Sequence, residues 1–61
     1  MTARRAELSS IASTLNELTD RISAITDEVL AEDESAGAGL LDAERSLRAA
    51  NRRLAAVVDR L

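Results

Sequence analysis

The chain has 61 residues and a formal charge of −3, from eleven acidic and eight basic residues, with no Cys, His, Phe, Tyr, Trp or Pro. Disulfide bridges and histidine- or thiolate-held metals are thereby excluded, and the acidic balance argues against nonspecific nucleic-acid binding. A chain this short hides only about 60% of its unfolded surface, and ordering it costs roughly 1.5 kcal/mol per residue, so its stability is expected to come from association.

In chain order, Thr2 is a candidate N-cap for a helix that opens "ARRAELSS", although Arg5 stands where a capping box has Glu. From Leu8 onward the apolar residues form an unbroken heptad, with Leu8, Leu15, Ile22 and Val29 at position a and Ile11, Leu18 and Ile25 at d. This period predicts a helix over about 3–32 and leaves no room for a strand.

The stretch "AEDESAGAG" follows, with acidic residues beside both glycines, and reads as a turn over about 33–39. Ser35 and Gly39 are the candidate N-caps for what comes next, and Asp42 stands in the first turn after Gly39, where negative charge faces exposed amides. The second helix is predicted over about 40–61. It carries Leu40, Leu47, Leu54 and Leu61 at a, and the smaller Ala43, Ala50 and Val57 at d.

The expected fold is all-α: an antiparallel, coiled-coil-like two-helix hairpin in which a positions pack with d. A reversal centred near residue 36 sets Ile11 against Leu61, Leu15 against Val57, Leu18 against Leu54, Ile22 against Ala50, Ile25 against Leu47, and Val29 against Ala43. Glu17 with Arg21 and Glu44 with Arg48 have the spacing of favourable i,i+4 pairs. Arg4 and Arg5 come to lie beside the carboxyl end of helix 2, where positive charge is welcome. Arg21 and Arg53 approach one another in this register, which is its one discordant feature.

The g flank of such a hairpin is charged and reads as a solvated edge. The e flank, Ala12, Thr19, Thr26, Glu44, Asn51 and Val58, is smaller and less charged. Docking through it is expected to make a homodimeric four-helix bundle, with Asn51 as a buried polar residue fixing register; helices of a larger protein are the other candidate partner. Leu30 and Leu41, one on each side of the turn, are further candidate contacts.

Catalytic chemistry is not expected. The carboxylates lie off the seam or near the turn, and two paired helices without aromatics enclose no catalytic pocket. The stretch "DESAGAGLLDAE" puts Asp33, Ser35 and Glu44 at positions 1, 3 and 12 of a calcium loop, but Gly37 takes position 5 and Ala38 the obligatory glycine position 6. The lack of His removes the Glu-x-x-His pairs of di-iron bundles, and no glycine array follows a strand to hold phosphate. No cofactor or metal is expected.

One basic feature is coherent: Arg45, Arg48 and Arg52 form a stripe on the outer face of helix 2, suited to an acidic protein surface or to RNA or DNA. No apolar run reaches the roughly 20 residues of a membrane span. The opening "MTARRAELSS" has no apolar signal core, and the mixed polar faces do not suit a membrane surface, so a cytoplasmic location is expected. The function expected is that of a small non-enzymatic interaction module, acting as a structural, adaptor or regulatory subunit. The alternative is a nucleic-acid-binding hairpin working through the Arg stripe.

Overall fold

The computed structural model describes residues 3–61; the expected cap at Thr2 lies outside them. The chain is an all-α hairpin of two helices, α1 (Ala3–Glu32) and α2 (Glu34–Arg60). The helix-period apolar pattern accounts for both, since each helix must place a stripe against something other than water.

A single residue makes the reversal. The Asp33 N–H donates to the Val29 carbonyl at 2.7 Å, the last rung of α1, and the Asp33 carbonyl accepts from the Gly37 N–H at 2.9 Å, the first rung of α2. Between those rungs Asp33 is extended, at φ −147° and ψ 97°, and its carboxylate accepts from the Ala36 N–H at 3.1 Å. Asp33 is therefore the N-cap, not Ser35 or Gly39. The expected turn over about 33–39 is helical from Glu34 onward, and α2 starts well before residue 40.

The glycines that suggested a loop have other consequences. Gly39 faces open space, whereas Gly37 is buried where α2 doubles back over α1: a Cβ there would stand 2.8 Å from the Leu30 Cα. Glycine at 37 is what lets so short a corner close.

Closing at residue 33 resets the register. Asn16 meets Asn51, Asp20 meets Arg48, and Leu30 meets Gly37, so facing residues have numbers adding to about 67. A centre near 36 is thus corrected, and with it the layer pairing of Ile22 with Ala50 and its neighbours. In the observed register Arg21 comes level with Ser46 and Arg53 with Thr14, which removes the discordant approach of two arginines.

The seam is also rotated around each helix. Thr19 and Thr26 on α1, and Gly37, Glu44, Asn51 and Val58 on α2, are the buried residues. All are e positions or, for Gly37, one heptad before an e position. The a residues Leu8, Leu15, Ile22, Val29, Leu40, Leu47 and Leu54 are half-buried beside them. The hairpin closes through a and e, not a and d. At this register the a residues of α1 come level with the e residues of α2, and the reverse, so each layer joins a long aliphatic side chain to a small or polar one and the axes can approach closely.

That seam is polar for an interior. Among the described residues, Val58 is the one buried large hydrophobic side chain, and it keeps 9% of its surface exposed. Thr19 and Thr26, 2% and 1% exposed, turn their hydroxyls back onto their own helix, donating to the Leu15 carbonyl at 2.7 Å and the Ile22 carbonyl at 2.8 Å. What they offer the opposite helix is a methyl group, so they pack as small branched residues.

Candidate functional site

Since the helices meet through a and e, each residue row to either side of the seam belongs to one of two opposite faces of a flat molecule. On the first, the b and f rows meet. Asn51 donates from Nδ2 to the Asn16 Oδ1 at 2.7 Å, and Arg48 reaches Asp20 at 3.6 Å. These contacts fix this as the polar face. It holds a shallow cleft of about 300 Å³ lined by Asn16, Arg48, Asn51, Arg52 and Ala55.

The Arg stripe lies here, and it is partly neutralised within the chain. Arg45 sits 3.4 Å from Asp42 on its own helix, Arg48 is paired with Asp20 across the seam, and Arg52 borders the cleft. Asp20 on α1 thus meets the stripe within the chain. The i,i+4 pairs Glu17–Arg21 and Glu44–Arg48 are not formed among the described residues; Arg48 goes to Asp20.

The second face carries the d rows. Ile11 (45% exposed), Leu18 (43%) and Ile25 (54%) run along α1, and Val57 (49%) continues the row of Ala43 and Ala50 along α2. With the half-buried a leucines between them, they form one apolar surface running the length of the hairpin. Monomeric proteins rarely leave so continuous an apolar surface in water. This is the candidate functional surface, and its residues were expected inside the hairpin.

The residues expected on an open docking flank have changed places with them. Ala12, Thr19, Thr26, Glu44, Asn51 and Val58 lie along the intrachain seam, and all but half-buried Ala12 are buried there. Leu30 is half-buried over Gly37, and Leu41 remains exposed beside the polar face. Sequence reasoning gave no role to Asn16 or Gly37 as contact residues. Only the true register, through the number sum near 67, could have picked them out.

Among the described residues, two buried side-chain polar atoms lack hydrogen-bond partners: Glu44 Oε2 and Asn51 Oδ1. Both lie on the seam, so the intrachain contact bears a desolvation cost with little apolar burial to offset it. Among the described residues no three His, Cys, Asp or Glu side chains converge as a metal site, and no helix is long and apolar enough to cross a membrane. The chain matches no protein-family model, no curated protein and no solved structure.

Proposed function

We propose that this protein is a small, non-enzymatic association module whose open d-row face takes up helices of another polypeptide, and that a second copy of the chain is its first partner, giving a homodimeric four-helix bundle. One observation carries this reading: the large aliphatic side chains are on the outside. A seam with Val58 as the one buried hydrophobic residue among those described offsets little of the ordering cost of 61 residues, and the apolar surface able to do so faces water until something covers it. Covering it joins two single-layer hairpins into the two-layer arrangement from which stable domains are built. A structural, adaptor or regulatory role in the cytoplasm follows as the proposed setting.

The test is the mass of the native chain in solution beside that of Ile25→Asp, which puts a charge on the open face at its most exposed large apolar residue. The native chain is expected at twice its chain mass at high micromolar concentration, and the variant at one. A native chain that is monomeric and fully helical in the low micromolar range would overturn the reading.

A further inference from the structure

The open face has two unequal halves. Along α1 its row is thick, Ile11, Leu18 and Ile25; along α2 it is thin, Ala43 and Ala50, thickening only at Val57. We infer that two copies pack these faces together about a two-fold axis running along the length of the hairpin, so that α1 of each copy lies on α2 of the other. This rests on the association proposed above and goes further by fixing which helix meets which.

Three observations lead to it. The first is shape. A two-fold axis lying across the hairpin, between the two layers, would stack α1 on α1 and α2 on α2, crowding the thick rows together and leaving a gap between the alanine rows. An axis along the hairpin lays each thick row over a thin one.

The second is register. Rotation about an axis leaves heights along it unchanged, so the pairing already present within the chain, numbers adding to about 67, carries over between copies with no freedom to slide. Leu18 then comes level with the partner's Ala50, and Ile25 with the partner's Ala43. At the rim the same rule brings Glu7 level with the partner's Arg60, and Arg21 level with the partner's Ser46, so opposite charges meet and like charges do not. Neighbouring helices are antiparallel throughout, both within and between copies, which sets their dipoles in opposition.

The third is area. A compact protein of 6.5 kDa exposes about 3,800 Å², whereas this chain exposes 4600 Å². The excess matches the roughly 800 Å² that each partner contributes to an interface of standard size.

The chain has no cysteine, so single introduced thiols report distances cleanly. Leu18→Cys and Ala50→Cys are prepared separately, checked for unchanged helicity, then mixed and oxidised mildly. The expected result is a disulfide between the two variants, in yield about tenfold above that of either variant oxidised alone, because like positions sit on the diagonal of the bundle beyond disulfide reach. If Leu18→Cys cross-links with itself as readily as with Ala50→Cys, the lengthwise axis is wrong although association stands. If the unmodified chain is monomeric by mass at the same concentration, both the arrangement and the association fall.

Discussion

At the scale of single residues, the two glycines show how one residue type answers to different physics a few positions apart. Gly37 has the Leu30 backbone where its Cβ would go, 2.8 Å from the Leu30 Cα, while Gly39 has nothing within 4 Å. Gly37→Ala is therefore expected to destabilise the protein by about 1–3 kcal/mol through overpacking that α1 cannot relieve. Gly39→Ala is expected to stabilise it by about 1 kcal/mol through helix propensity alone. Urea denaturation followed by circular dichroism separates the two; equal effects would mean that the corner is looser than its geometry. Glu44 is the other residue with a defined expectation. It is buried with Oε2 unpartnered, so Glu44→Leu should raise stability by about 1–3 kcal/mol, the usual cost of a buried unsatisfied polar atom. A loss of stability on that substitution would show that the carboxylate has a partner in the assembled protein.

At the scale of elements, the sequence was explicit about some things and silent about others. Two amphipathic helices in a hairpin follow from the heptads starting at Leu8 and Leu40, because nothing else places apolar residues at that period. The stripe closing the hairpin was not legible. The a and d rows carry nearly all the large aliphatics, and hydropathy ranks them as the interior. Two helices, however, approach most closely where side chains are small, and the e row supplies Thr19, Thr26 and, one heptad before Glu44, Gly37. A binary pattern records which residues avoid water but not whether their own chain or another covers them. The turn lies elsewhere than the glycines suggest for a related reason: glycine reads as a breaker, although Gly37 serves close approach and Gly39 sits inside a helix. Asp33 was the usable signal, a capping residue followed at once by acidic Glu34 in the first turn of α2. Asp33→Ala is expected to cost about 1 kcal/mol, and Asp33→Asn much less, since asparagine keeps the oxygen that Ala36 needs. Thermal unfolding of the two variants checks this, and equal losses would argue against the cap.

At the scale of the whole molecule, the dimensions carry the argument. The Cα trace measures 47 × 15 × 9 Å with a radius of gyration of 14.2 Å, against about 10.5 Å for a compact chain of this length. It is a thin slab, polar on one side and apolar on the other. If folding and pairing are one event, the unfolding temperature must depend on concentration. A hundredfold increase is expected to raise it by roughly 10 °C, from mass action and the usual unfolding enthalpy per residue. A melting temperature that stays constant across that range would mark a self-sufficient monomer.

The one-residue corner has a further consequence. Both hydrogen-bond ladders already run up to Asp33 from either side, so the bent chain and a single straight helix differ mainly in two torsions of one residue. Carrying φ from −147° and ψ from 97° to the helical values near −63° and −42° would open the hairpin like a penknife, into a span of about 87 Å. The Asp33 side chain, by holding the Ala36 amide, favours the folded blade over the open one, alongside the contacts across the seam.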